Sequence, residues 1–419
     1  MSISNVPLPD AVENDTAASP RWLSIVGIGE DGVEGLSPVA RGLIGAAEIV
    51  FGGRRHLGLA APLIRGAARP WPSPFDSAPE EVLRHRGRPV CVLASGDPFQ
   101  YGVGAVLARH IEARETIVVP APSAFSLAAA RLGWPQPETV LLSVHGRTLD
   151  LVRPHLQPGA RILALTSDGD GPAALAQLLA TAGFGASRLT VLENLGGPRE
   201  RIRSTTAAAY EFGAVDALNT VAIEVEAALD ARVLARTSGL ADSLFEHDGQ
   251  ITKREIRAMT LSSLAPRRGE LLWDIGSGSG SVAIEWMLAD PVMRAIAIER
   301  RADRAARIRR NAAAFGVPDL GIVEDAAPAA LSGLAMPDAV FVGGGCDAGV
   351  LDAATRALRS GGRLVVNAVT LETEALLLGR HAACGGDLIR IAISRVDAIG
   401  EKTGWRAAMP VTQWLWTKP

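Results

Sequence analysis

Residues 271–285 read LLWDIGSGSGSVAIE, and this pattern indicates the fold class of the second half of the chain. An apolar run, Leu271–Ile275, leads into three alternating glycines, Gly276, Gly278 and Gly280, and then into a helix-like segment. Glycines at such a junction allow positive φ angles and let a ligand lie against bare backbone at the carboxyl end of the first strand of an open α/β sheet. The spacing therefore predicts a nucleotide-type ligand site in an α/β domain.

Acidic residues follow this glycine turn in an order that suits a nucleoside. Glu299 ends the next apolar run, where a carboxylate can accept hydrogen bonds from two ribose hydroxyls. Asp325 and Ala326 follow the third run and suit an adenine edge. This ordered set resembles the class I S-adenosylmethionine-dependent methyltransferases. The resemblance implies cofactor-binding roles for Asp274, Gly276, Gly278, Gly280, Glu299, Asp325 and Ala326.

Two other features narrow the range of reactions that the second half could catalyse. Ser281 stands where a dinucleotide fingerprint carries glycine or alanine, which argues against an NAD-dependent oxidoreductase. Three glycines at 343–345 replace the N-P-P-Y-like motif of methylases that act on exocyclic amines. The segments ITKREIR at 251–257 and NAVTLE at 367–372 resemble the decarboxylating precorrin methyltransferases.

Apolar runs rich in Val and Ile alternate with Gly/Pro turns and helix-like segments along the whole chain. This β-α alternation predicts parallel sheets covered on both faces. The predicted strands are 23–28, 49–51, 90–94, 116–119, 162–166, 190–193, 221–225, 271–275, 295–298, 321–323, 339–342, 363–366, 388–393 and 411–416.

The first half carries a different series of motifs. These are VGIGEDG at 26–32, ASGDPF at 94–99, VPAPSAF at 119–125, SVHGR at 143–147 and ENLGGPRERI at 193–202. The series is similar to the class III tetrapyrrole methylases, in which the methyl donor lies folded between two α/β lobes. The resemblance implies that Gly27, Gly29, Gly96, Asp97 and Pro98 form the donor site.

Two positions qualify this second resemblance. Glu30 and Asp31 replace the Pro and Gly of the family's usual G-I-G-P-G opening, so the resemblance implies no particular contacts for that turn. His145 is a candidate proton carrier, and the alternative is a histidine hydrogen-bonded within its loop.

We predict an N-terminal two-lobed tetrapyrrole methylase fold followed by a Rossmann-like class I methyltransferase with a mostly parallel seven-stranded sheet. The predicted limits are a disordered arm at 1–20, the class III module at 21–230, a linker at 231–249 and the class I module at 250–419. Together the modules resemble a bifunctional precorrin methylase family. This resemblance implies methylation of C5 and C15, with loss of the ring C acetate carboxyl, during cobalamin biosynthesis.

The substrate implied by the resemblance carries many carboxylates, so cations near each site are candidate anchors. Lys253, Arg254 and Glu372 are the candidate catalytic residues, the first two as anchoring cations and Glu372 as a proton-handling group. Arg257 is a further candidate in the second half, and Arg199, Arg201 and Arg203 are candidates in the first. For each cation the alternative is a solvated surface position. The chemistry requires no metal, so none is predicted.

Composition limits the remaining possibilities. The 419 residues are 48% hydrophobic and 21% charged, with a formal net charge of −3, which gives no general attraction for nucleic acid. No signal peptide or membrane span is recognisable, and three scattered cysteines fit the reducing cytoplasm. The family resemblance predicts a homo-oligomer. A cobalt-containing substrate and a non-catalytic S-adenosylmethionine sensor remain alternatives.

Overall fold

The computed structural model describes residues 21–72 and 75–419, so the arm predicted at 1–20 lies outside the described residues. The chain folds into two units. The first unit comprises the described residues from 21 to 146 together with 161–180 and 185–224, and the second comprises 147–160, 181–184 and 225–419. Within the described residues, no helix combines the length and apolar character needed to cross a bilayer.

A five-stranded parallel sheet forms the first lobe of the first unit. Its strands lie in the order β3-β2-β4-β1-β5. They are β1 Leu23–Ile28, β2 Ile49–Gly52, β3 Ala67–Pro70, β4 Val90–Ser95 and β5 Thr116–Val119. The helices of this unit are α1 Pro38–Ala46, α2 Arg54–Ala60, α3 Ala78–Leu83, α4 Val103–Leu107, α5 Ala124–Leu132 and α6 Gly171–Thr181.

The second lobe of this unit is a mixed sheet, and here the prediction of parallel sheets is wrong. Its strands are β6 Thr139–Ser143, β7 Arg161–Leu165, β8 Arg188–Glu193, β9 Arg201–Thr206 and β10 Asn219–Glu224, in the order β6-β7-β10-β8-β9. Only β6 and β7 run parallel. The seven residues between β8 and β9 are too few for a crossover helix, so these two strands pair as an antiparallel hairpin.

The second unit contains the predicted seven-stranded, mostly parallel sheet, in the order β13-β12-β11-β14-β15-β19-β16. Only β19 runs antiparallel to both of its neighbours. The strands are β11 Leu271–Ile275, β12 Arg294–Ile298, β13 Gly321–Val323, β14 Ala339–Val342, β15 Arg363–Ala368, β16 Asp387–Ile391 and β19 Val411–Thr417. The helices are α7 Arg254–Leu264, α8 Ser281–Leu288, α9 Ala302–Ala314, α10 Ala348–Ala357 and α11 Leu371–Cys384.

A separate two-stranded hairpin, β17 Ser394–Ile399 and β18 Lys402–Ala407, precedes β19. Short 3-10 helices lie at Gly32–Gly35, Phe75–Ser77, Ala113–Glu115, Gln136–Glu138, Leu149–His155, Asp242–Leu244 and Ala329–Leu331.

Both faces of the seven-stranded sheet are buried, as its apolar strands predict. Leu272 and Phe341 pack with Trp286 of α8 on one face, while Trp273 and Trp414 pack on the other. Alternate residues of β11 therefore point to opposite cores. This burial fixes the register of the central strands and with it the loops at their carboxyl ends.

The segment before α7 is part of the second unit's core. Leu234, Leu240 and Phe245 are buried in the same cluster as Leu272 and Trp286. The domain limits given above remain a prediction.

Candidate active sites

Three parallel strands of the second unit end side by side. Ile275 of β11 is in register with Ile298 of β12, and Ile298 is in register with Val323 of β13. The residues that follow are Gly276 and Glu299 on the first two strands, so the predicted glycine turn and the predicted ribose acid lie at one edge of the sheet. This edge is where open α/β sheets bind ligands.

Bare backbone is required in the glycine loop. Gly276, Gly278 and Gly280 have φ angles of 70°, 62° and 78°. A Cβ at Gly276 would overlap the carbonyl oxygen of Gly344, so the 276–280 and 343–345 glycine loops approach each other at backbone distance. The loop therefore provides a cradle of bare backbone at Gly276 and Gly278, whereas a Cβ at Gly280 would meet Ile308 of α9 at 2.9 Å.

Two buried carboxylates hold this cradle in place. Asp274 accepts hydrogen bonds through Oδ2 from Ser277 Oγ at 2.7 Å and from the Ala283 backbone N–H at 3.2 Å. Glu299 accepts from the backbone N–H of Gly278 at 2.9 Å and of Arg301 at 3.0 Å. Both acids are thus fixed in part by the glycine loop, through Ser277 and Gly278, and neither of them lines the cavity beside this loop.

Asp274 retains one unused acceptor. Its Oδ1 is buried and has no hydrogen-bond partner among the described residues. Burial raises the pKa of this carboxyl to about 6, and the nearby Glu299 charge contributes. An unsatisfied buried oxygen requires an explanation, and a ligand with hydrogen-bond donors in the glycine cradle supplies one. These features fit the nucleoside donor that the sequence predicts.

Asp325, the third predicted acidic residue, is more exposed to solvent than Asp274 and Glu299. Asp325 is exposed in the loop after β13, and its Oδ1 accepts from the backbone N–H of Ala326 at 2.7 Å. Asp325 and Ala326 therefore follow β13, the neighbour of the strand that ends before Glu299, and lie at the same sheet edge.

A cavity of about 430 Å³ opens onto the glycine loop. Gly276 and Gly278 form part of its lining, and an apolar wall faces them. The charged and amide side chains among the described lining residues are Gln250, Lys253, Arg304, Asn367 and Arg395. Lys253 has no ion-pair partner among residues 21–72 and 75–419, so its charge is available to an anionic ligand.

The other predicted catalytic residues are placed differently. Arg254 Nε donates to the Gly239 carbonyl at 2.9 Å, and Glu372 is exposed in the first turn of α11. Neither residue forms part of the cavity lining. The structure thus brings Lys253 to the glycine loop and leaves Arg254 and Glu372 outside it.

Arg257 is unavailable as an anchor. Its side chain is fully buried, and its Nε donates to Glu285 Oε1 at 2.6 Å while Nη1 pairs with Asp242 at 3.1 Å. A buried ion pair of this kind is costly to break, so the residue belongs to the interior.

Arg304, Arg395 and a fixed amide are site residues that the sequence analysis missed. Asn367 Nδ2 donates to Thr260 Oγ1 at 2.9 Å, and its Oδ1 accepts from Gln413 Nε2 at 2.8 Å. Asn367 and Gln413 are directly opposite on β15 and β19. This network fixes the orientation of the Asn367 amide at the cavity wall, and NAVTLE was the signal that could have identified it.

The first unit has its own cavity, of about 320 Å³. The ends of β1 and β4 form its floor, because Ile28 and Ser95 are in register. Gly29 and Gly96 are in the lining. A Cβ at Gly27 would overlap the Gly96 carbonyl oxygen, so Gly27 allows the two strand ends to meet.

Asp97 and Pro98 shape the turn beside Gly96 and are not themselves in the lining. Asp97 Oδ1 accepts from the backbone N–H of Phe99 at 2.8 Å, and Pro98 is buried. Gly96 has a φ of 58° within this turn. These two residues therefore hold the backbone that faces the cavity.

The mixed sheet supplies the opposite wall, which includes Leu192, Thr166 and His145. His145 Nδ1 lies 3.1 Å from the Thr166 carbonyl oxygen. Since a carbonyl only accepts, Nδ1 carries the proton in this contact. The histidine is thus hydrogen-bonded within its loop and at the same time lines the cavity.

The three arginines proposed as anchors in the first unit all have acidic partners. Arg201 and Arg203 pair with the buried Glu193, at 2.8 Å from Arg201 Nε and 3.0 Å from Arg203 Nη2. Arg199 pairs with Asp216 at 3.3 Å. None of the three is in the cavity lining.

Comparison with known proteins identifies both units. Residues 23–210 match the family described as tetrapyrrole (corrin/porphyrin) methylases, and residues 243–418 match the precorrin methyltransferase domain. Over 412 residues the chain is 60% identical to the precorrin-6Y C(5,15)-methyltransferase [decarboxylating] of Sinorhizobium sp., covering 98% of this chain and 100% of that protein. The chain belongs to the precorrin-6Y C5,15-methyltransferase (decarboxylating) family.

Two further relatives have the same name. A Mycobacterium tuberculosis (strain H37Rv) precorrin-6Y C(5,15)-methyltransferase is 41% identical over 400 residues, or 94% of this chain and 99% of that protein. The crystal structure of the C-terminal domain of the Rhodobacter capsulatus precorrin-6Y C5,15-methyltransferase is 49% identical. It covers 44% of this chain and 100% of that chain, with a TM-score of 0.43.

The two family matches confirm the predicted order of the modules. A tetrapyrrole methylase comes first, and a precorrin methyltransferase follows it. Membership of methyltransferase families implies S-adenosylmethionine as the methyl donor.

Proposed function

We propose that the chain methylates C5 and C15 of precorrin-6B and removes the ring C acetate carboxyl as CO2, giving precorrin-8X in cobalamin biosynthesis. The observation that carries this proposal is that each of the two units has its own glycine-floored cavity. The name of the relative that matches over its whole length supports the same reaction.

The methyl donor of both steps is proposed to be S-adenosylmethionine, one molecule at each cavity. A bound sulfonium supplies an activated methyl group, so the protein needs mainly to orient the reacting carbon. Such orientation lowers a barrier by roughly 7–11 kcal/mol. Gly276 and Gly278 in the second unit, and Gly29 and Gly96 in the first, allow close approach of the ligand to the backbone.

The second cavity has a lining suited to decarboxylation. Lys253 is positioned to anchor a peripheral carboxylate, whereas Arg304 already pairs with Asp248 at 2.9 Å. Ile256, Ile391 and Ile393 form an apolar wall on which a carboxylate loses solvation. The conjugated macrocycle accepts the electron pair released with CO2.

Incubation with precorrin-6B and S-adenosylmethionine tests the proposal by mass spectrometry. We expect two methyl gains and one CO2 loss, and no mass change would exclude this substrate. The cobalt-containing analogue is the second candidate, and a parallel assay of both substrates separates the two.

Donor stoichiometry separates an enzyme from the alternatives. We expect two S-adenosylhomocysteine molecules bound per chain by titration calorimetry. Binding of NAD instead would favour an oxidoreductase. Binding of the donor without turnover of either tetrapyrrole would favour a sensor.

The assembly and location are also proposals. The chain is proposed to form a homo-oligomer through its second unit and to act in the cytoplasm, with a tetrapyrrole as its small-molecule partner. An exposed apolar face on the β17–β18 hairpin supports self-association, because Val396 and Trp405 are paired across the hairpin and are 58% and 75% exposed. Sedimentation velocity measures the assembly, and cell fractionation tests the location.

A further inference from the structure

One ion pair of the first unit lies inside the cavity rather than on the outer surface. Arg55, near the start of α2, pairs through Nη1 with Glu30 Oε1, and both residues line the cavity. Glu30 is one of the two residues that depart from the usual opening of the tetrapyrrole methylases. Among the described residues that line this cavity, Arg55 is the only Arg or Lys and Glu30 is the only Asp or Glu.

Three groups hold the Arg55 guanidinium at the cavity wall. Besides Glu30, Nη2 contacts His56 Nε2 at 2.8 Å and Ser95 Oγ at 3.4 Å. Arginine only donates, so His56 Nε2 accepts and the imidazole is neutral. Burial, together with the adjacent Arg55 charge, lowers the pKa of His56 to about 4, which agrees with a neutral ring.

Glu30 is in turn fixed from its other side. A Cβ at Gly197 would lie 2.6 Å from Glu30 Cβ, so the Gly196-Gly197 turn after β8 packs directly on this side chain. The Glu30 side chain is 12% exposed, whereas that of Arg55 is 37% exposed. The carboxylate is therefore the buried support, and the guanidinium is the part that a ligand can reach.

The cavity is small compared with the proposed substrate. A tetrapyrrole with its side chains is far larger than about 320 Å³, so it extends beyond this cavity and presents peripheral carboxylates at the rim. Arg55 retains Nε–H without a hydrogen-bond partner among the described residues. A guanidinium supported by one carboxylate can bind a second through its remaining donors.

We propose that Arg55, held in place by Glu30 and His56, binds a peripheral carboxylate of the tetrapyrrole at the C5-methylating site. The inference rests on the proposed function, because a polycarboxylate substrate is what gives the exposed guanidinium its ligand. Arg55 is then a substrate-binding residue, and Glu30 and His56 are positioning residues.

Steady-state assays of Arg55→Gln and Arg55→Lys, in the full-length chain, test this proposal. We expect Arg55→Gln to raise KM for the tetrapyrrole in the C5 step by roughly 10- to 100-fold, with a smaller change in kcat, because one charge-assisted contact is lost. Arg55→Lys keeps the charge but not the planar fork, so an intermediate KM is expected.

The C15 step is the internal control, because it depends on the second unit and should keep its KM in both variants. Arg88→Gln is the matched control, since Arg88 forms an exposed ion pair with Glu48 at 2.6 Å in the same unit. This variant should leave both KM values unchanged.

Several outcomes would overturn the inference. An unchanged C5 KM in Arg55→Gln would show that the guanidinium does not bind substrate. Weakened S-adenosylhomocysteine binding would instead assign Arg55 to the carboxylate of the donor, and an equal rise of the C15 KM would indicate a general structural effect. If the wild-type chain transfers no methyl group to either tetrapyrrole, the proposed function fails, and the inference fails with it.

Discussion

At the scale of single residues, the second site depends on glycines that no other residue replaces. Gly278 has a φ of 62°, lines the cavity and donates its backbone N–H to Glu299. A branched side chain here would strain the loop and occupy the cradle. A substitution at Gly278 should affect only the cavity of the second unit, since the cavity of the first unit is lined by Gly29 and Gly96.

Gly278→Val should therefore reduce S-adenosylhomocysteine binding from two molecules per chain to one and abolish C15 methylation, while C5 methylation persists. Titration calorimetry and product mass spectrometry measure these effects. Gly361→Val is the control, because Gly361 also has a positive φ, of 74°, but its Cβ meets no atom within 4 Å. Intact C15 methylation in Gly278→Val would contradict the site assignment.

Asp274 should give the protein an unusual pH response. Burial raises its pKa in the folded state to about 6, above the value of 3.8 expected without burial. Between these values the unfolded chain has lost the proton and the folded chain has kept it, so stability falls as the pH rises from about 4 to 6. The loss from this one group is on the order of 3 kcal/mol.

Asp274→Asn removes this titration. We expect the difference in unfolding free energy, wild type minus variant, to decrease as the pH rises from about 4 to 6 and to level off above that. Urea unfolding at several pH values, followed by tryptophan fluorescence, measures it. A difference that stays constant across this range would show that the carboxyl titrates normally.

At the scale of elements, the sequence predicted the strands that are buried and missed most of those that are not. β1, β5, β11, β13 and β14 have the predicted bounds, because each is a mainly apolar run. β3, β9, β17 and β18 are largely exposed and carry no apolar pattern. β6, Thr139–Ser143, is an edge strand of the mixed sheet and was not predicted.

Some residues of the candidate sites could be predicted from the sequence and others could not. Gly276, Glu299 and Gly96 were predictable because glycine turns and acids follow apolar strands directly. Arg304 and Arg395 reach the second cavity from a helix and a hairpin, and the sequence carries no spacing rule that links such elements to a distant strand end. Arg257 is buried against Glu285, and Arg201 is paired with Glu193. These pairings likewise depend on how the chain packs in three dimensions.

The β17–β18 hairpin has an apolar pair that tests the proposed self-association. Trp405→Lys places a charge opposite Val396 on this face, and we expect smaller species by sedimentation velocity. Val292→Lys, at a residue 45% exposed in a loop before β12, is the control and should leave the assembly unchanged. Unchanged sedimentation of Trp405→Lys would exclude this face as the contact.

At the scale of the whole molecule, the two units interleave along the chain. Residues 147–160 and 181–184 come from the first half of the sequence but belong to the second unit. Gln157 Nε2 donates to the Leu234 carbonyl at 2.8 Å, and the turn after α9 packs on Pro154. A cut within the predicted linker, 231–249, would therefore divide the second unit as well as separate the two modules.

Gly316→Ala tests how far this packing stabilises the second unit. Gly316 has a φ of 72°, and an added Cβ would lie 2.6 Å from the Asp150 carbonyl oxygen and overlap Pro154. We expect a loss of unfolding free energy of about 1–3 kcal/mol. Gly333→Ala, with a φ of 78° and open space around its Cβ, measures the backbone contribution alone. Equal losses would show that residues 147–160 contribute little.

The interleaving also bears on how the protein is made. During synthesis, residues 147–160 leave the ribosome long before Ala302–Ala314, the helix on which they pack, has been translated. The N-terminal module must then fold while residues 147–160 remain exposed, because the helix on which they pack has not yet been made. A pause in translation between these points would lengthen that exposure, and we expect it to lower the yield of folded protein.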